Sequence, residues 1–243
     1  MRSVPAESCR IRAIDPESFD TLTFDCYGTL IDWETGILRV LRRSPAATAQ
    51  YSDEQLLAMY GAFEAEAERG DYVSYREILR GVARGFALRL GVPLPNEAEE
   101  ILSSSVPDWP PFPDTQDALV RLGKKYRLVI LSNIDRDLIA QSVARIDARI
   151  DLIITAEEAR AYKPSPEFFD YALPRVSSDL GRVVHVAQSK YHDIAPVTAR
   201  GMRAIWVNRR HDRPGSGATP PVEATPTLTV RSLGELADTL LPL

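Results

Sequence analysis

The chain has 243 residues, 44% hydrophobic and 26% charged, enough to bury a substantial core in one large domain or in a core with a smaller insert. Its 29 basic and 34 acidic residues leave a net charge of −5, which excludes the basic footprint of a nucleic-acid partner. Cys9 and Cys26 make no disulfide framework, which suits a reducing cytoplasm, and no apolar run is long enough to span a bilayer.

Residues 1–18, MRSVPAESCRIRAIDPES, carry scattered charges and no continuous apolar stretch, so they read as a flexible lead-in rather than a secretory signal or an anchor. Thr21–Phe24 is a β-prone run that delivers Asp25 to a strand end before Gly28 and Thr29 turn the chain away. Taken alone, an Asp before a Gly is a turn residue. At the carboxyl end of a parallel strand it stands where open α/β sheets bind ligands.

From about Ile37 to Ser105 the pattern is helical. Gln55–Arg69, introduced by Ser52 and Asp53, places Leu56, Met59, Tyr60 and Phe63 at helical spacing and ends at Gly70. Tyr75–Leu90 does the same with Ile78, Leu79, Val82 and Phe86, and stops at Gly91. A short helix is expected near Glu97–Ser104. The four prolines of Val106–Asp114 predict a stiff extended connection back to the core.

Beyond it, helices and strands alternate: helix Thr115–Lys124, strand Arg127–Ser132, helix Arg136–Ala144, strand Leu152–Thr155, helix Pro166–Leu173, strand Val183–Ala187, helix Asp193–Ala199 and strand Ala204–Val207. Arg209–Thr225, rich in Gly and Pro, predicts a mobile loop, and Thr227–Val230 with a last helix closes the chain. The expected fold is a Rossmann-like doubly wound parallel sheet, α/β, with an inserted all-helical cap. Core residues are 19–34 and 108–243, and the cap is 35–107.

Polar groups follow four of these strands: Asp25 with Thr29, Ser132 with Asn133, Lys163, and Asp193. Singly they read as turn residues, a solvated loop charge and a helix cap. Parallel topology gathers strand ends on one edge, so all four are expected in one pocket. Trp33, just after the first turn, either lines that pocket or packs between cap and sheet. Tyr72 and Tyr75 are expected to pack, and His185 to be structural.

Together, DCYGT around Asp25, SN at Ser132 and Asn133, YKPSPEFF with Lys163 and AQSKYHD with Asp193 resemble the haloacid dehalogenase superfamily, and within it the type II 2-haloacid dehalogenases. An early helical cap belongs to that plan. Metal-dependent phosphatases of the superfamily carry a second Asp two residues after the nucleophile, to protonate an alkoxide. Here that position is Tyr27, whose ordinary pKa of about 10 suits it poorly to proton exchange near neutrality. A halide leaves without a proton. Ser189 stands where those relatives place another acid for magnesium, with Lys190 beside it, so no cofactor is expected; Mg2+ belongs only to the phosphatase alternative.

The resemblance implies that Asp25 displaces halide from a short 2-haloalkanoate, forming an ester that a water positioned by Asp193 hydrolyses. Lys163 would hold Asp25 ionised, Thr29 and Ser132 would hydrogen-bond nucleophile or substrate, and Asn133 would donate to the halide. Backbone N–H groups of Cys26, Tyr27 and Gly28 would complete an anion site, with Lys190 and His192 tuning Asp193. The family's cap arginine for the halide has no counterpart at its matching position; the candidates weighed among the cap's arginines are Arg39, Arg42, Arg43, Arg69 and Arg76. A phosphatase on a small organic phosphate and a catalytically silent binding homologue are the alternatives. Expected partners are a small haloacid and, from the resemblance alone, a second copy in a homodimer, with no nucleic acid and no membrane.

Overall fold

The computed structural model describes residues 14–241, except 212, 214 and 216 and the side chains of 45, 46, 96 and 97. Residues 1–13 of the expected lead-in, with Cys9, lie outside them. Its described end packs on the core: Ile14 is buried, and Arg203 donates to the Ser18 hydroxyl.

Six parallel strands form one sheet: β1 Thr21–Phe24, β2 Arg127–Ser132, β3 Leu152–Thr155, β4 Val183–Ala187, β5 Arg203–Val207 and β6 Leu228–Val230. Their order is β3-β2-β1-β4-β5-β6. All of β1 and β4 is buried, which is why both read as near-continuous apolar runs. The order reverses between β1 and β4, with Phe24 opposite both Ile130 and Val186. The ends of β1 and β4 therefore open on the crevice of the sheet.

Between β1 and β2 the chain is helical: α1 Trp33–Leu41, α2 Pro45–Thr48, α3 Asp53–Ala67, α4 Tyr75–Leu90 and α5 Asn96–Glu99. The first of these starts two residues ahead of the expected cap boundary at 35. Ser52 and Gln55 form a capping box on α3, while α4 runs from its cap Ser74 to left-handed Gly91. After them come α6 Thr115–Leu122, α7 Arg136–Ile146, α8 Ala156–Ala159, α9 Pro166–Val176, α10 Ala195–Ala199 and α11 Leu233–Leu240. No helix among the described residues is long and apolar enough to cross a membrane.

Two expectations are corrected. Val106–Asp108 is not extended but ends a 3-10 turn, Ser103–Asp108, because the Trp109 indole N–H reaches back to Ser105 and draws the chain in. The segment expected as helix Asp193–Ala199 is split: Lys190–Ile194 is a wider π turn, and α10 starts only at Ala195. Ser189 accepts the His192 N–H and sets this turn, which swings Asp193 inward. The loop expected after β5 lies partly outside the described residues, but contacts hold it to the core and the insert at three of its described positions. Arg209 donates to Asp114 and to the Thr29 carbonyl, Arg210 pairs with Glu34 and Glu54, and Ala218 is fully buried.

Candidate active site

The β1 ladder continues through Asp25, whose N–H donates to the Val186 carbonyl at 3.0 Å. The nucleophile candidate thus sits on the sheet and not on a free loop. Lys163, entering from the turn before α9, is 1% exposed, and its Nζ directs three hydrogen bonds. They reach Asp25 Oδ1 at 3.0 Å, Asp193 Oδ1 at 2.6 Å and the Leu131 carbonyl at 2.9 Å. Thr29 donates to Asp25 Oδ2 at 2.7 Å and accepts the Gln188 N–H at 2.9 Å, which orients its proton toward Asp25. Asp25, Thr29, Lys163 and Asp193 are therefore one buried cluster drawn from the ends of β1 and β4 and from the turn before α9.

The turn after Asp25 is closed by the Cys26 carbonyl, which accepts from the N–H groups of Thr29, Leu30 and Ile31. Gly28 has φ +95°, and a Cβ there would lie 3.0 Å from Trp33 Nε1 and 3.1 Å from Gln188 Oε1. Only glycine fits both that backbone and that space. The Gly28 N–H donates to the Ile31 carbonyl at 2.8 Å, so it is removed from the expected anion site. Among the described residues no acceptor takes the N–H of Cys26 or Tyr27. The Cys26 side chain is fully buried and does not line the pocket; burial pushes its thiol up, so it contributes backbone only.

The pocket over this cluster also brings in Tyr27, Trp33, Ser132, Asn133 and His192. Ser132 is 1% exposed, and its hydroxyl meets no partner among the described residues. Trp33 does both things expected of it, lining the pocket while its ring stands edge-on to Tyr60. Asn133 clamps the Lys163 backbone from both sides, accepting from its N–H at 2.7 Å and donating to its carbonyl at 2.9 Å. That makes it a positioning residue before it is a halide donor. The Tyr27 hydroxyl lies 2.8 Å from Ser142 Oγ, with the ring edge-on to Trp109. Burial pushes that phenol above its ordinary range. Lys190 is not in the pocket, because its ammonium stands 4.2 Å from the centre of the Trp206 ring. Burial drives His192 down to about 4, so it is a neutral wall.

Five residues were not expected here, Thr219 of the loop after β5 among them. His185 bridges Thr23 Oγ1 at 2.8 Å and Asp193 Oδ1 at 2.9 Å, so a histidine read as structural steadies the second carboxylate. Pairing of β1 with β4 puts Thr23 opposite His185, a register that the sequence does not display. Glu64 and Glu68 of the helical insert, with Tyr75, form the roof. Glu64 lies on the same helical face as Leu56, Leu57 and Tyr60, and its spacing of four from Tyr60 was the available signal.

Burial raises Asp25, and the Asp193 charge adds to this while Lys163 opposes it. Burial would raise Asp193 too, but Lys163 and the His185 hydrogen bond carry it down to about 2. Lys163 is disfavoured by burial, yet the two carboxylates hold it charged. A divalent cation does not fit between Asp25 and Asp193, because the ammonium stands there and Ser189 is the cap of the π turn. Among the described residues no three His, Cys, Asp or Glu side chains are grouped to hold a metal. The arrangement supplies an ionisable nucleophile, a fixed cation beside it and a second carboxylate whose Oδ2 has no partner among the described residues.

Comparison with known families matches residues 19–194 to the haloacid dehalogenase-like hydrolases. An (S)-2-haloacid dehalogenase of Pseudomonas putida is 26% identical over 227 residues, 90% of this chain and 96% of that protein. One of Pseudomonas fluorescens is 27% identical over 175 residues, 71% of this chain and 74% of that protein. The structure of an L-2-haloacid dehalogenase of Xanthobacter autotrophicus with chloropropionic acid covalently bound has the same fold. It superposes with a TM-score of 0.75 at 18% identity, covering 93% of this chain and 99% of that one.

Proposed function

Because this chain belongs to the haloacid dehalogenase-like hydrolases, we propose that it hydrolyses short 2-haloalkanoic acids to 2-hydroxy acids through an ester on Asp25. The observation that carries this is the buried Lys163 ammonium joining Asp25 to Asp193, with the one phenol in the phosphatase acid position turned onto Ser142. An alkoxide leaving phosphorus would need a proton from that position, and a halide leaving carbon does not. The similar (S)-2-haloacid dehalogenases support the same choice.

Asp25 attacks the halogen-bearing carbon in line, held ionised and aimed by Lys163 and Thr29. The Ser132 hydroxyl and the N–H groups of Cys26 and Tyr27 receive the substrate carboxylate. Asp193, oriented by His185, positions and deprotonates the water that cleaves the ester. No metal or cofactor takes part. Residues 35–107 are the cap that covers this chemistry, on a core of 19–34 and 108–243. We place the enzyme in a reducing cytoplasm, as a homodimer.

The test is halide release from chloroacetate, bromoacetate and 2-chloropropionate with a chelator present. Release should require Asp25, vanish in Asp25→Asn, and leave a trapped ester in Asp193→Asn, visible by mass spectrometry. Magnesium-dependent phosphate release without halide release would transfer the assignment to a phosphatase.

A further inference from the structure

Thr29 reaches Asp25 through its hydroxyl, and the place of that hydroxyl depends on what holds the Thr29 backbone. The turn itself holds it loosely. The Cys26 carbonyl is shared by three N–H groups, that of Thr29 at 3.2 Å against 2.7 Å for Leu30. Among the described residues no backbone N–H donates to the Thr29 carbonyl. Arg209 does so instead, with both donors of one guanidinium edge, Nη2 at 2.9 Å and Nε at 3.2 Å.

Arg209 stands two residues past the end of β5, and its far end is fixed in turn. Its Nη1 donates to both Asp114 oxygens, at 2.8 and 3.0 Å, and its guanidinium carbon lies 4.1 Å from the centre of the Phe112 ring. Asp114 Oδ2 accepts the N–H groups of Leu233 and Gly234, at 2.7 and 3.1 Å, where α11 begins. The Arg209 side chain is 8% exposed. A planar fork held at one end can keep a single backbone oxygen in place from the other, whereas a Lys ammonium is a point charge on a flexible stem. The next residue, Arg210, turns away from this turn to Glu34 and Glu54 of the insert.

Arg209 does not touch the reacting groups. It is not among the residues that line the pocket over Asp25; it lines a smaller cleft that shares only Trp33 with that pocket. Its effect passes through Thr29, which is held at two points. Arg209 takes the carbonyl, while the Gln188 N–H, at 2.9 Å, takes a lone pair of the hydroxyl and leaves its proton for Asp25 Oδ2.

We propose, on the dehalogenase reading above, that Arg209 is a positioning residue for the displacement step: it fixes the Thr29 carbonyl and, through Thr29, the orientation of the Asp25 carboxylate. In-line displacement requires a carboxylate lone pair on the axis of the carbon–halogen bond, so a small rotation of Asp25 costs rate. Ester hydrolysis depends instead on Asp193, which is tied to Lys163 and His185 and not to Arg209.

Arg209→Lys keeps a positive charge beside Asp114 and loses the fork. With bromoacetate, R209K should release halide in the first turnover about tenfold or more slowly than wild type, with KM little changed and ester hydrolysis slowed less. The steady-state ester seen by mass spectrometry should therefore fall. A double-mutant cycle with Thr29→Val separates positioning from mere stability, because valine keeps the shape and removes the hydroxyl. In the T29V background R209K should slow the first turnover by no more than about twofold, since the group it acts through is gone. All rates are read well below the melting temperature. Should R209K not fold, Asp114→Asn loosens the same guanidinium at its far end and should show the same dependence on Thr29. Equal slowing in both backgrounds, or equal slowing of both half-reactions, is what a purely structural ion pair gives and overturns the inference, as does an undiminished first turnover in R209K. Each of those results leaves the dehalogenase standing, because wild type still releases halide. No halide from any haloacid with wild type removes the reaction and the positioning role together.

Discussion

Lys163 and His185 both act on Asp193 Oδ1, from 2.6 and 2.9 Å, and leave Oδ2 for a water. His185 touches no reacting atom in this arrangement, so it is a positioning residue. His185→Gln should slow ester hydrolysis by about tenfold or more while affecting halide release in the first turnover less. The ester then accumulates, which mass spectrometry detects. Because the hydrogen bond from His185 helps hold the Asp193 carboxyl near 2, its loss should also move the acid limb of the hydrolysis rate upward in pH. Asp25, Thr29, Lys163 and Asp193 were legible in the sequence because each follows a strand end in an ordered series. Glu64 was not, because a carboxyl on a mostly apolar helix face reads as solvent-facing until Tyr75 from the next helix is laid beside it.

The strand β1 with its turn is the element on which the site depends. Leu30 and Ile31 are fully buried beneath the turn and fasten it to the core. Gly28→Ala combines a left-handed backbone with a methyl 3.0 Å from the Trp33 indole. The backbone strain alone is about 1–2 kcal/mol. The variant should lower the melting temperature and cut turnover further than stability accounts for, because relief of the clash shifts the Asp25 turn; kcat measured well below the melt separates the two. Strand bounds, to within one residue, and the α4 span were readable from local pattern, since for α4 period, Ser74 and Gly91 all agree. The π turn at Lys190–Ile194 was not, because its shape depends on Ser189 capping His192 rather than on local propensity.

Across the whole molecule, the insert is fastened to the core through the loop after β5. Arg210 is 6% exposed at its side chain and pairs with Glu34 at 2.7 Å and with Glu54, on α1 and α3. Gly61 of α3 packs so closely on this loop that a Cβ would lie 2.6 Å from the Ala218 carbonyl, and Thr219 reaches the pocket wall. Arg210→Gln takes from half-buried Glu34 its nearer cation, leaving Arg213 at 3.9 Å, and should destabilise the fold by about 2 kcal/mol, read by chemical denaturation. It should also raise KM, since α1 and α3 carry Trp33, Glu64 and Glu68. The sequence by itself determined the alternation of strands and helices, the helical insert and the four polar groups that follow strands, because each is written in local periodicity and turn chemistry. Only the tertiary structure decided that Lys163 bridges two carboxylates, that His185 stands behind one of them, and that glutamates roof the pocket. Those facts depend on pairing and packing between segments far apart in the chain, where burial, and not residue type, sets what a side chain can do.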